Sequence, residues 1–370
     1  RPDLSGLDWR ALAFDWGVEK LFFTDLGNGA FMCDFSTAFK KFPEIVESHL
    51  CQQLNRSEKL ESLHSAFLSR GILVYIPSNV KMTSPISVPI SIGKYSQIDH
   101  LLVIAEENSS VSLLQETSSL ISTNSTPIFH SSVVEIVAAP HASVHFGALQ
   151  DLPSENIFHF SIVRAESGEN ASVQLEWGEF GARYSKSDYA VALRGAHAHS
   201  SNVGIVLGSH SQCFDVHQSS THAFPLTQST LLARGCLDAQ SKCIYHGLIR
   251  MEKEAISSQG KQACDFLLLS SGAEADPVPS LEILNSDVKC SHSSTVGRID
   301  AEKLFYIASR GVSEEVARKM VITGYYENVL SQFSTQELKT KCQSILEQRL
   351  GLNTGAFADV EPSAVDEVRV

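Results

Sequence analysis

Apolar positions recur with two different periods along the chain. After Pro43, the residues Ile45, Val46, His49, Leu50 and Leu54 fall at helical spacing. Ser57 reads as the cap of a second helix, with Leu60, Leu63, His64, Phe67 and Leu68 on one face and Gly71 at its end. Before them, Leu21-Phe22-Phe23 reads as a short strand and Gly27-Asn28-Gly29 as a hairpin turn. Asp8-Trp9 and Asp15-Trp16 flank small apolar segments. From Ile72 to about residue 300 the pattern changes to short β-branched and apolar runs between Ser, Asn, Asp and Gly turns. Examples lie at 72–76, 101–104, 111–114, 133–137, 143–146, 172–175, 203–207, 230–232 and 280–284. Pro77 ends the first run, and Pro85 and Pro89 exclude helix where they stand. Such a series predicts a large sandwich, a propeller or a β-solenoid. No sharp repeat motif selects among them, and a solenoid needs none, because each coil only has to stack on its neighbours.

After Asp300 the helical period returns. Asp300 caps a short helix over residues 303–309 that Gly311 stops. Ser313-Glu314-Glu315 opens a second, with Val316, Met320 and Val321 as its apolar face. Ser334-Thr335-Gln336-Glu337 reads as a capping box for a third, carrying Leu338, Cys342, Ile345, Leu346 and Leu350 and closed by Gly351. The chain thus divides into a mixed, helical region (1–71), a strand-rich core (72–300), a helical part (301–352) and an acidic tail (353–370).

Composition narrows the function classes. With 370 residues and 43% hydrophobic content, the chain can bury a substantial core. Its net charge of -13 and the lack of any Lys/Arg-rich run argue against nucleic acid as a partner. No apolar run is long enough to span a bilayer. The first residue is Arg1, which leaves a lost leader open. The 8 cysteines are scattered without a CxxC, which fits a reducing cytoplasm better than a disulfide framework. Phosphate-loop, GxSxG, HExxH and GxGxxG signatures are missing.

Two groups of residues offer chemistry. His197, His199, His210, His217 and His222 crowd one region, and His197 and His199 would share a strand face as a metal pair does. No nearby carboxylate or Cys completes that set, so the plainer reading is a polar strand face. The second group is the stretch 286–297. If it is extended, Val288, Cys290 and His292 share one face, so a thiol and an imidazole can act on one ligand. The plainer reading is a buried strand end with an apolar Cys and a hydrogen-bonded His. Cys264, beside Asp265 and two after Gln262, reads as a small core residue unless its thiol is activated.

The order of motifs after residue 230 resembles one family. It runs Leu-Leu-Ala-Arg-Gly-Cys (231–236), Tyr-His-Gly-Leu-Ile-Arg (245–250), Phe-Leu-Leu-Leu-Ser (266–270), Pro-Ser-Leu-Glu-Ile (279–283) and Asp-Val-Lys-Cys-Ser-His (287–292). It ends with Thr295-Val296-Gly297, Leu304-Phe305-Tyr306 and Ser309-Arg310-Gly311, and His222, Pro225, Thr227 and Ser229 precede it. This series resembles the SufB/SufD iron–sulfur cluster assembly proteins, and the Lys-Cys-Ser-His form resembles SufD in particular. The likeness is strong over about residues 200–330 and faint before 60.

The resemblance implies a mainly β fold: a right-handed parallel β-helix core flanked by an N-terminal helical part and a small C-terminal helical domain. It implies a non-catalytic scaffold that pairs with a SufB-like paralogue and docks a SufC-like ATPase through the C-terminal helices. Sulfur would come from a cysteine desulfurase system. His292 and Cys290 match the family's cluster-assembly interface and would be the metal ligands, with Cys264 as a further candidate. The cluster would be transient and shared with the partner, and the complex would be the place for a reduced flavin. A homodimer is the alternative when the chain is alone. At Cys264 the SufD pattern tends to have Asn, and Ser293 stands where SufB has a glutamate. A structural solenoid, or one that binds or cleaves carbohydrate, is the competing class. Glycosidases need clustered carboxylates, and Asp215, Asp238 and Glu252 are widely scattered in sequence.

Overall fold

The computed structural model describes residues 21–55, 57–68, 70–119, 126–153 and 155–350. Two sheets face each other. In spatial order the first holds β1 (Phe23–Gly27), β2 (Ala30–Asp34), β3 (Gly71–Ile76), β5 (Gln97–Ala105), β7 (Ile128–Ala138), β9 (Ile157–Ser167), β11 (Tyr184–Leu193), β13 (Cys213–His222), β15 (Lys242–Met251) and β17 (Glu274–Ile283). The second runs from β4 (Ile86–Ile92) through β6 (Ser110–Ser119), β8 (Ser143–Asp151), β10 (Ser172–Glu179), β12 (His199–Gly208), β14 (Gln228–Leu237) and β16 (Ser258–Leu268) to β18 (Val288–Arg298). Each coil gives one strand to each sheet, and neighbours from β3 onward pair in parallel, so this is a parallel β-solenoid of about 8 turns. Before it, β1 and β2 form the hairpin that the Gly27-Asn28-Gly29 turn predicts, with all three residues at positive φ.

The coil length is visible in the register. Tyr184 pairs with Cys213, Cys213 with Lys242 and Lys242 with Glu274, steps of 29, 29 and 32 residues. One corner keeps a left-handed residue in successive coils: Asn79, Asn108, His141, Asn170, His197, Leu226 and Ser257. Each donates its backbone N–H to a carbonyl of the next coil, as Asn108 does to Pro140 and His197 to Pro225. His197 is therefore a corner residue just before β12 and shares no strand face with His199, contrary to the sequence expectation.

Alternation sets the interior. On β13 the even positions Phe214 and Val216 enter the main core with Tyr189, Cys243, Tyr245, Cys264 and Phe266, while Asp215 and His217 point outward. Trp177 stacks on Tyr189 at 5.0 Å between centroids and lies against Gly204, where an added Cβ would come within 2.0 Å of the indole. A line of polar side chains threads this core: Trp177 Nε1 donates to Asn202 Oδ1 (2.9 Å), Gln218 Nε2 donates to the same oxygen (2.7 Å), and Tyr245 OH donates to Gln218 (2.7 Å). Buried polar groups persist in a core when they pair in this way.

Helices cover both outer faces. α1 (Phe35–Lys41), α2 (Pro43–His49) and α3 (Lys59–Phe67) lie on the ten-stranded sheet. α3 begins after Glu58, which gives no side-chain cap, so Ser57 is not the cap, and Phe67 is exposed rather than on the buried face. His64 seats α3 instead: its Nδ1 meets Ser131 Oγ at 2.9 Å and its Nε2 meets His100 Nδ1 at 3.1 Å, while His100 Nε2 reaches Glu135 at 3.0 Å. Past the solenoid come α4 (Ala301–Ala308), α5 (Glu314–Leu330) and α6 (Gln336–Arg349). Asp300 and Ser313 cap α4 and α5 as the sequence predicts.

α5 buries Ile322, Tyr326, Val329 and Leu330 against Val203, Ile205, Leu207 and Cys236 of the eight-stranded sheet. Met320, expected on the apolar face, is exposed. The α6 capping box does not form, because Glu176 of β10 takes its place. Glu176 accepts from Ser334 N–H (2.5 Å), Ser334 Oγ (2.6 Å) and Thr335 N–H (3.2 Å). Gly351, the acidic tail and the two early Asp-Trp pairs lie outside the described residues.

Candidate functional site

Among the described residues the solenoid ends bare at β17 and β18, the edge strands of the two sheets. Among the described residues β18 pairs only with β16: Gly260 faces Cys290, Gln262 faces His292 and Cys264 faces Ser294. Facing residues of parallel neighbours share a side, so Cys290, His292 and Cys264 all look toward the solenoid axis. Val288 and Cys290 pack on Leu231, Ile249 and Met251, as one face of an extended stretch should. His292 is exposed, because no further coil covers it among the described residues. The stretch 286–297 is thus an open edge and not a buried strand end.

Cys264 is fully buried, and its thiol meets the Ser293 carbonyl at 3.8 Å. Burial, with Asp265 beside it, pushes its pKa up to about 12, so the thiol keeps its proton at neutral pH. Half-buried Cys290 is raised too, again by burial, and the Gly260 backbone opposes the shift. Gln262, in register with His292, is buried, and neither its Oε1 nor its Nε2 has a protein partner. It presses against Gly247, where a Cβ would come within 1.8 Å of Nε2. The core's polar line therefore approaches the bare end at a buried amide with unmet hydrogen-bonding capacity.

Backbone polarity at the two edges differs. Glu274 donates its N–H to the Ser241 carbonyl just before β15 and Leu284 donates to Met251 at its end, so the backbone N–H and C=O groups of the odd positions of β17 face outward, among them Pro277 and Pro279, which have no N–H. On β18 the same alternation directs the N–H and C=O of Cys290, His292 and Ser294 to the free edge. Val278 (45% exposed), Ile283 (47%), Leu284 (49%) and Val296 (42%) add apolar surface there.

Among the described residues, two groups bring three metal-ligand side chains within 4.8 Å: Cys51/His100/Glu135 and Asp215/His217/His246. His292, Cys290 and Cys264 belong to neither. In the first group, Glu135 accepts from the backbone N–H of Cys51 (2.6 Å) and Gln53 (2.9 Å), so it acts as a hydrogen-bonded hub for the loop before α3. The second corrects the view that no carboxylate completes the histidine set. Asp215 sits two residues before His217, and His246 comes alongside from the next coil. The i, i+2 spacing of Asp215 and His217 was readable in sequence, whereas the pairing with His246 needed the 29-residue coil step. His222, in the same sequence crowd, is an internal strut: its ring nitrogens meet Thr227 Oγ1 and Ser229 Oγ, each at 2.7 Å. Burial lowers its pKa to about 4.

Comparison with known proteins agrees with this architecture. The family model described as SUF system FeS cluster assembly, SufBD core domain, matches residues 90–325, and that of the SufBD protein N-terminal region matches residues 16–88. An "Iron-sulfur cluster assembly SufBD family protein" of Staphylococcus epidermidis (strain ATCC 12228) is 28% identical over 303 residues, covering 81% of this chain and 64% of its own. A protein of the same description from Staphylococcus aureus (strain MRSA252) is 27% identical over 302 residues with the same coverage. The match thus spans less than two thirds of the length of these relatives, 64%. No helix among the described residues is long and apolar enough to cross a membrane. Because the core match covers well over half of the chain and coincides with the solenoid, this chain belongs to the SufBD family of iron–sulfur cluster assembly proteins.

Proposed function

We propose that this chain is a SufD-like scaffold subunit, without catalysis of its own, that pairs with a SufB-like paralogue through the bare end of its solenoid. The observation that carries this reading is the β18 edge, unpartnered among the described residues, with His292 and Cys290 on it and exposed apolar residues around it. An edge of that length with open backbone groups calls for a covering strand. A partner seated there would meet His292 and Cys290 directly and would lie one strand from Cys264. Imidazole and thiolate are both competent iron ligands. A transient cluster held between two chains thus agrees with a ligand set that is incomplete in one. Phe305 (75% exposed) and Tyr306 on α4 supply an apolar surface for a SufC-like ATPase, whose hydrolysis would drive the assembly. A cysteine desulfurase system would deliver the sulfur, and reduced flavin, if used, would belong to the assembled complex.

The test is His292→Ala in the purified complex, read as cluster formation by anaerobic absorbance and as growth under iron limitation. The expected outcome is loss of both with subunit stoichiometry kept. Unchanged cluster yield would remove His292 from the site. Co-expression with the paralogue, weighed by stoichiometry, distinguishes heterodimer from homodimer.

A further inference from the structure

A second cluster, on the outward face of the ten-stranded sheet, has a feature that ordinary polar pairing does not satisfy. His217 Nε2 lies 2.9 Å from Asp215 Oδ1 and 3.2 Å from Lys186 Nζ. These contacts make opposite demands on one nitrogen. Toward the carboxylate it must carry a proton, and toward the ammonium it must present a lone pair. Either tautomer leaves one contact repulsive. A cation seated between Nε2 and Oδ1 removes the conflict, because both atoms then offer lone pairs. Metal bonds of about 2.0–2.1 Å in a tetrahedral site set ligand atoms roughly 3.3 Å apart, so only a few tenths of an ångström of movement is needed. His246 supplies the third donor. It stands directly across from His217 on β15, with ring centroids 4.6 Å apart, and the ligand atoms of all three residues lie within 4.8 Å of one another.

We propose that Asp215, His217 and His246 form a binding site for a divalent first-row transition metal, with the Lys186 ammonium as the resident cation that the metal displaces. Lys186 Nζ, 3.0 Å from Asp215 Oδ2, is a point charge held where a metal would be held. Tyr184 OH donates to the same carboxylate oxygen at 3.1 Å and orients it from outside the ligand set. Two imidazoles and one carboxylate suit ferrous iron or zinc rather than magnesium or calcium. The cluster borders a cavity of about 1180 Å³ between the outer sheet face and the segment leading into α3, lined by Glu61, Arg164, Lys186, Asp188, Asp215 and His217. That side leaves open coordination positions for water or an exchanging ligand. The site does not depend on the proposed scaffold role, and it uses none of the residues at the bare end.

Anaerobic titration of the full chain with Co²⁺ tests it. The expected result is one equivalent bound with visible d–d bands, without thiolate-to-metal charge transfer, and displaced by Fe²⁺ or Zn²⁺. His217→Ala and His246→Ala should each weaken binding at least tenfold. Lys186→Gln should tighten it severalfold, a gain that misfolding cannot mimic. Cys264→Ser, Cys290→Ser and His292→Ala should leave the bands unchanged. Absence of binding to the wild-type chain, bands of thiolate type, binding that survives loss of both histidines, or weaker binding in Lys186→Gln would each overturn the site.

Discussion

Cys264 and Cys290 stand on neighbouring strands yet meet solvent differently. Cys264 is sealed beside β18, and its thiol is pushed up to about 12 by burial, while Cys290 is half-buried and raised by the same cause. A thiol reacts as its thiolate. In the native chain, a disulfide reagent at pH 8 should therefore modify Cys290 well before Cys264, with Cys264 labelled only on unfolding. Mass-spectrometric mapping of the label checks this, and early labelling of Cys264 would contradict the burial argument. A thiol in this state becomes an iron ligand only by losing a proton that the isolated fold retains. The sequence offered Cys264 beside Asp265 and no more. Which way its side chain points follows from the register of β16 against β14, where Cys264 faces core residue Ala233, and such pairing has no local signature.

At the scale of elements, α6 shows how a distant side chain can replace a local cap. Ser334-Thr335-Gln336-Glu337 has the local form of a capping box, but the donors turn to Glu176, 158 residues away from Ser334. A buried carboxylate at a helix N-terminus also meets the positive end of the helix dipole. Glu176→Gln should cost about 1–3 kcal/mol, read as a lower denaturant midpoint with faster hydrogen exchange in α6 than in α5. Equal protection in both helices would show that the apolar face alone holds α6.

Strands were legible where runs of apolar residues filled both faces, as in β5, β7 and β12. β13 was harder to see because its outward face is Cys213, Asp215, His217, Ser219 and Thr221, all polar or small. The coil repeat was invisible for a related reason. What recurs is a backbone torsion at one corner, and Asn79, His141, Leu226 and Ser257 all adopt it. The end of the solenoid could be placed by motif order. That it was an uncovered edge could not be placed so, because exposure belongs to the last coil and not to its residues.

For the molecule as a whole, burial of protonated thiols and phenols sets a limit on the alkaline side. Cys236 and Cys264 are raised to about 12, and Cys243, Cys342, Tyr245 and Tyr326 are raised as well, each first by burial. These groups keep protons in the folded state that the unfolded chain releases from about pH 9 upward. Their contribution is complete below the unfolded value and is lost as pH climbs toward the folded one. Each such thiol should remove about 1.4 kcal/mol of stability per pH unit across that window. Urea unfolding at pH 8, 9 and 10 should give falling midpoints, with a shallower fall in Cys236→Ala. Constant midpoints across this range would mean that these groups are reached by water.

The two ends of the solenoid differ in what they allow. At the front, β1 is 5 residues long with an irregular register at Asp25/Gly27, and β4 is 7 residues long with Pro89 in it. At the back, β18 offers 11 residues without proline. Short, bulged or proline-bearing edges recruit strands poorly. A body with two matching edges would stack front to back without limit, as fibres do. Among the described residues β18 is the one long edge without proline, so strand pairing at the proposed interface would use that edge up. Whichever chain met it there, a paralogue or its own copy, strand pairing would join two solenoids and go no further, while the α4 surface with Phe305 and Tyr306 would stay open to a different kind of subunit.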